Sequence, residues 1–139
     1  MVLIDGARYG FLDPLLGGHR IAAARAVLGE VRYWRDEQGD KRPIDLGQYV
    51  LAGRLTVEDA TTAEMVALLK RIRSSALGAG ELESLALVLA RGERFCTADR
   101  AARRAMRELG LENRWVALEE LLGALEPPVA VPETKYRSE

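Results

Sequence analysis

The sequence predicts an α/β domain, a three-layer sandwich whose central, mostly parallel sheet of four to five short strands is covered by helices on both faces. Three observations lead there. Short apolar runs (Val2–Ile4, Leu55–Val57, Phe95–Thr97) alternate with stretches whose apolar residues recur at helical spacing. Several of the helical stretches run into a glycine, the residue that most readily adopts the left-handed turn ending a helix. The chain has 139 residues, one domain's worth, and 48% of them are hydrophobic, enough for a core.

The elements follow in order. Val2-Leu3-Ile4 reads as a buried first strand closed by Asp5-Gly6. Arg8 to Leu16 reads as helical, broken at Asp13-Pro14 and ended by Gly17-Gly18. Arg20 to Ala23 is a second strand. Ala24 to Arg35 is a helix with Val27, Val31 and Trp34 as its apolar stripe, and Gly39-Asp40 lies in the loop beyond. Ile44 to Ala52 is a helix with Leu46, Tyr49 and Val50 inward and Gly53 as its stop. Leu55-Thr56-Val57 is a third strand. Thr61-Thr62-Ala63-Glu64 forms a capping box and opens a helix to about Ser74. After the Leu77-Gly78-Ala79-Gly80 loop, Glu81 opens an apolar helix carrying Leu82, Leu85, Ala86 and Leu89, stopped by Gly92. Phe95-Cys96-Thr97 is a fourth strand, Arg100 to Leu109 a helix ended by Gly110, Trp115-Val116-Ala117 a fifth strand and Leu118 to Leu125 a last helix. Residues 1–125 make the domain. Residues 126–139 hold three of the five prolines and read as a flexible or docked tail.

Composition narrows the function classes. The formal net charge of −1 neither demands nor excludes a nucleic-acid partner. No apolar run approaches the ~20 residues of a membrane helix, and Met1-Val2-Leu3-Ile4-Asp5 lacks the pattern of a signal peptide. One cysteine, Cys96, precludes an internal disulfide. A cytoplasmic protein is expected. Aromatic residues make up 6%, too few for a base-stacking platform as the main recognition device.

Parallel sheets build their sites at the carboxyl ends of the strands. Asp5 directly follows the first strand and Asp99 lies two residues beyond the fourth. Glu81 opens a helix after a glycine loop, and Glu30 lies on the helix after the second strand. Carboxylates brought together repel one another and raise their own pKa values. A cation relieves that conflict, and oxygen-only ligands favour hard ions such as Mg²⁺ or Mn²⁺. Such an ion activates a bound water and steadies charge on a phosphate, without a histidine or cysteine nucleophile. Each acid also has a plainer reading. Asp5 and Asp99 fit helix caps, Glu81 fits the helix dipole, and Glu30 fits an exposed helix face. Arg100, Arg103, Arg104 and Arg107 recur at helical spacing as one basic face, either solvated or gripping phosphates. Arg8 either reaches a phosphate near Asp5 or pairs with it. His19 reads as a surface loop residue and Cys96 as packing.

The stretches Gly78-Ala79-Gly80-Glu81-Leu82-Glu83-Ser84-Leu85-Ala86-Leu87, Phe95-Cys96-Thr97-Ala98-Asp99-Arg100-Ala101-Ala102-Arg103-Arg104-Ala105 and Leu109-Gly110-Leu111 resemble the PIN-domain family. They are similar to a bacterial and archaeal branch with a Gly-x-Gly-Glu-x-Glu and a Thr-x-Asp-Arg stretch. Asp5 after the opening run, and Ala26-Val27-Leu28-Gly29-Glu30-Val31, fit the same pattern over roughly Val2 to Leu125. The resemblance implies a PIN-like sandwich and an acidic set at Asp5, Glu30, Glu81 and Asp99. Glu83 is a possible contributor that points away from Glu81. It implies a Mg²⁺- or Mn²⁺-dependent ribonuclease, with Asp5, Glu81 and Asp99 as ligands and Glu30 completing the shell or orienting water. Arg8, Arg100, Arg103 and Arg104 become candidates for RNA contact. Many members are toxins of toxin–antitoxin pairs, inhibited by a small protein and often dimeric. The chain departs from the family in two places. Gly6-Ala7-Arg8 offer no hydroxyl after Asp5, and Ala101-Ala102-Arg103 stand where a further acid is common. A PIN-like module that binds RNA or a protein without cutting is therefore the alternative.

Overall fold

The structure, a computed structural model, describes residues 2–73 and 76–130. It is mixed α/β, but its strands form two separate pairs. Strand β1 (Ile21–Ala24) lies parallel to β4 (Leu55–Glu58), with Ile21 opposite Leu55 and Ala24 opposite Glu58. Strands β2 (Tyr33–Arg35) and β3 (Lys41–Pro43) form an antiparallel hairpin. Asp36 ties the turn between them, accepting the N–H groups of Gln38 and Asp40 at 3.0 and 2.9 Å. Gly39 supplies its positive φ of 81°.

Eight α-helices accompany these strands among the described residues: α1 (Val2–Tyr9), α2 (Leu12–Gly18), α3 (Arg25–Glu30), α4 (Leu46–Leu51), α5 (Thr62–Leu69), α6 (Ala79–Arg91), α7 (Arg100–Glu108) and α8 (Leu118–Gly123). None is long and apolar enough to cross a membrane. The signals at helix ends hold. Thr61 and Glu64 form the reciprocal capping box of α5. Gly92 adopts the left-handed conformation that stops α6, and Gly110 has φ 72° just past α7.

Four expected elements differ. Val2–Ile4 is the first turn of α1, not a strand, so Asp5 lies inside a helix rather than at a strand end. A three-residue apolar run is too short to separate the two, and here Leu3 packs with Leu12, Leu16, Val31 and Leu46. The helix expected to Arg35 stops at Glu30, because the hairpin takes Tyr33–Arg35. Phe95–Thr97 and Trp115–Ala117 meet in a single parallel bridge, Phe95 to Trp115. A sheet of four to five strands is therefore not seen among the described residues.

Helix α6 holds the halves together. Leu85 and Ala86 are fully buried in a cluster with Leu68, Ala102, Ala105 and Met106 from α5 and α7. Its polar side faces the parallel strands. Glu83 accepts the N–H of Ala26 at 2.8 Å and that of Ala60 at 3.0 Å, each two residues beyond the end of its strand, β1 or β4. Replacing Glu83 by alanine leaves two partly buried N–H groups without that partner, at a cost of about 1–3 kcal/mol for each donor that water fails to reach. Glu83→Ala should lower the urea midpoint clearly, and Glu83→Gln, which keeps one carbonyl acceptor, should lower it less.

Candidate functional site

A cleft of about 740 Å³ lies between β1, the Arg94–Asp99 segment and α6. Its walls are largely apolar, including Ile21, Ala23, Leu87, Phe95 and Val116. Four carboxylates line it: Glu58, Glu81, Glu93 and Asp99.

Glu81 lies in the first turn of α6. One oxygen accepts the Gly78 N–H at 3.3 Å, closing the N-terminus of the helix. The other oxygen, Oε2, is buried and makes no hydrogen bond among the described residues. Burial pushes the Glu81 carboxyl above the usual glutamate range, and the charges of Asp99 and Glu30 push it the same way. Glu81 therefore satisfies the helix end with one atom and leaves the other without a hydrogen-bond partner among the described residues.

Asp99 is the N-cap of α7. Its Oδ1 accepts the Ala102 N–H at 3.0 Å, and its own N–H donates to Thr97 Oγ1 at 3.1 Å. Glu30 ends α3 and accepts the Gly80 N–H at 3.0 Å. Gly80 is needed for that contact, since a Cβ there would lie 2.7 Å from the second Glu30 oxygen and 2.9 Å from Val27. Close approach of α3 to α6 thus sets Glu30 beside the turn that carries Glu81.

Two of the expected acids, Asp99 and Glu30, are in this way near enough to Glu81 to raise its pKa, and all three also have a structural duty. The fourth is not brought to the cleft. Asp5 is buried at 6% exposure within α1 and does not line the cavity, because its segment folds as a helix. Among the described residues, no three His, Cys, Asp or Glu side chains gather closely enough to hold one ion by themselves.

The basic residues separate as well. Arg8 reaches the Arg35 carbonyl at 3.4 Å, on the hairpin side of the molecule. On α7, Ala102, Ala105 and Met106 face inward, while Arg100 and Arg104 are exposed. Arg103 stacks 3.9 Å over the Trp115 ring, and Arg107 pairs with Glu112 at 3.0 Å. His19 is no free loop residue, since its Nε2 meets the Leu121 carbonyl and ties α2 to α8. Cys96 packs beside Leu118 and Leu122, and burial pushes its thiol up to about 12.

A second acidic group escaped the sequence reading. Glu58 ends β4, the same position after a strand that drew attention to Asp5. It neighbours Glu93, whose carboxyl is pushed up to about 7 by burial and by its hydrogen bond to Glu58. Arg91 clasps the region, 3.5 Å from Glu58, 3.0 Å from Glu64 and 2.8 Å from the Asp59 carbonyl. Its hydrogen bonds hold Glu64 down to about 2.

No protein-family model, no curated protein and no solved structure matches the chain.

The raised Glu93 carboxyl fixes the sign of a pH effect. A group whose folded pKa lies above its unfolded value favours the fold while protonated, so its contribution is complete below the ordinary glutamate pKa and is lost as pH rises through about 7. The urea midpoint should fall between pH 5 and pH 8, and Glu93→Gln should flatten that fall. An equally steep fall in the variant would show that Glu93 is not its source.

Proposed function

We propose that the chain is a divalent-metal-dependent ribonuclease of PIN type, with Glu81 and Asp99 as the carboxylates that hold Mg²⁺ or Mn²⁺. The observation that carries this reading is the unpartnered, buried Oε2 of Glu81, beside Asp99 and Glu30, which raise its pKa. A cation supplies what that atom lacks. The donor set is all oxygen, which suits a hard ion, and Mg²⁺ commonly binds through one or two carboxylates while keeping several waters. Two acids at the cleft are thus a sufficient protein contribution, and Asp5, inside α1, is not needed among them. When bound, the ion would supply an activated water and charge stabilisation for phosphodiester hydrolysis. Glu30, held by the Gly80 N–H, is placed to accept a hydrogen bond from water at the same end. A role as the toxin of a toxin–antitoxin pair, with a small inhibitory protein and a homodimeric assembly, rests on the family resemblance alone.

A second reading has its own support. Asp5 does not line the cleft and Gly6-Ala7 bring no hydroxyl, as in a module that binds without cutting. RNA or a protein partner would then dock on the α7 face through Arg100 and Arg104.

The variants that separate these readings keep the fold. Asparagine caps helices as well as aspartate, and glutamine can still accept the Gly78 N–H. Asp99→Asn and Glu81→Gln should each reduce Mn²⁺-dependent cleavage of structured RNA about a hundredfold or more, the scale of losing a charge-stabilising group. They should also remove the stabilisation that Mn²⁺ gives the native chain, about 2.7 kcal/mol at a hundred times Kd. A native melting temperature unmoved by millimolar Mn²⁺ sinks the metal reading. In the binding-module reading, Arg100→Glu with Arg104→Glu should weaken RNA binding and flatten its log–log salt dependence by about two phosphate contacts, whereas Asp99→Asn should leave binding intact.

A further inference from the structure

The two faces of the β2–β3 hairpin differ in chemistry. Its register sets Tyr33 opposite Pro43, Trp34 opposite Arg42 and Arg35 opposite Lys41. Side chains alternate along a strand, so Tyr33, Arg35, Lys41 and Pro43 share one face, and Trp34 and Arg42 share the other. Trp34 is half-buried and lines a small cavity with Gly6 and Ala7 of α1. On its face Arg42 pairs with Asp36 at 2.8 Å. On the opposite face all four residues are exposed.

That exposed face gathers positive charge around one ring. Lys41 Nζ lies 4.6 Å from the centre of the Tyr33 ring, and the Arg35 guanidinium lies 5.5 Å from it. Arg8, exposed in the last turn of α1, reaches the Arg35 carbonyl at 3.4 Å and brings a third cation to the same strand. The acids Glu37 and Asp40 lie beyond the strand ends, in the turn. Like charges directly opposite one another weaken a strand pair, and Arg35 and Lys41 stand so. The negative face of the Tyr33 ring offsets part of that repulsion. A polyanion laid across the face would relieve the rest. Tyr33 is still 40% exposed with both cations beside it, so part of its ring is open. An open ring among clustered cations suits single-stranded nucleic acid, whose bases stack on the ring while its phosphates meet the cations. A simple anion would use the cations alone.

We propose that this face of the hairpin binds single-stranded RNA, with Arg8, Arg35 and Lys41 on its phosphates and a base stacked on Tyr33. The choice of RNA rests on the function proposed for the chain; the choice of face rests on the hairpin geometry. None of these four residues lines the cleft. The hairpin is thus a contact separate from the metal site, and it serves whether or not the cleft cuts.

Fluorescence anisotropy with a labelled, unstructured RNA of about 12 nucleotides tests it, in EDTA so that binding is read apart from cleavage. Tyr33→Leu should weaken binding about fivefold or more, the scale of losing one stacked base. Lys41→Gln should flatten the log–log salt dependence by about 0.7, the value for one phosphate of a single strand. Lys41→Glu sets an acid opposite Arg35, a pairing that favours the hairpin, and should weaken binding about tenfold with no loss in melting temperature. That variant decides the matter if Tyr33→Leu fails to fold. Native affinity in both Tyr33→Leu and Lys41→Glu overturns the proposal, and it does so without touching the metal reading if the native chain cuts RNA with Mn²⁺. Inorganic polyphosphate that displaces the RNA equally well, charge for charge, overturns the stacked base. Binding of phosphatidylserine vesicles without binding of the RNA overturns the choice of ligand and assigns the face to a membrane surface.

Discussion

The two parallel strands, β1 and β4, are joined just beyond their ends by one side chain, the carboxylate of Glu83. It accepts from Ala26 beyond β1 and from Ala60 beyond β4. The rest of the architecture is arranged around that bond pair. It fixes α6 across the ends of the strands, which in turn sets Gly80 against Glu30 at one end of the helix and Arg91 against Glu58, Asp59 and Glu64 at the other. The apolar side of the same helix is buried against α5 and α7. One helix therefore carries core packing, strand closure and two clusters of acids, and its position determines where all of them lie.

The acids near Glu81 illustrate how structural and chemical roles share a side chain. Asp99 caps α7 through Oδ1, and Glu81 closes the start of α6 through Oε1. Neither duty consumes the whole carboxylate. A helix N-terminus stabilises the ionised form of its cap, while burial and neighbouring acids oppose ionisation. At Glu81 the opposing effects prevail, and its pKa is raised. An acid held in that state is poised to gain from a cation, whereas an acid serving only as a cap would not be.

Local signals were legible in the sequence, and long-range pairing was not. The capping box at Thr61, the glycine stops at Gly92 and Gly110, strand β4 and most of β1 are written in a few adjacent residues. The Val2–Ile4 run failed because three apolar residues suit a strand or a buried helical turn equally, and the contact with Leu12, Val31 and Leu46 decides between them. Asp5 was misplaced with it. At the site, the positions of Glu81 and Asp99 at helix starts were readable from the glycines and strand-like runs before them. Glu83 was not, since its partners lie 57 and 23 residues away. Glu58 was within reach, because it follows a strand as Asp5 was thought to do.

Trp115 carries a further consequence. Its indole N–H is held by the Thr97 carbonyl at 2.9 Å, and Arg103 covers its face. Thr97 lines the cleft, two residues from Asp99. The chain's other tryptophan, Trp34, lies on the β2–β3 hairpin. Fluorescence of Trp115 is thus coupled to the cleft wall by one hydrogen bond, and a Trp34→Phe chain would carry a single built-in optical probe there. The molecule can report occupation of its own cleft without a label.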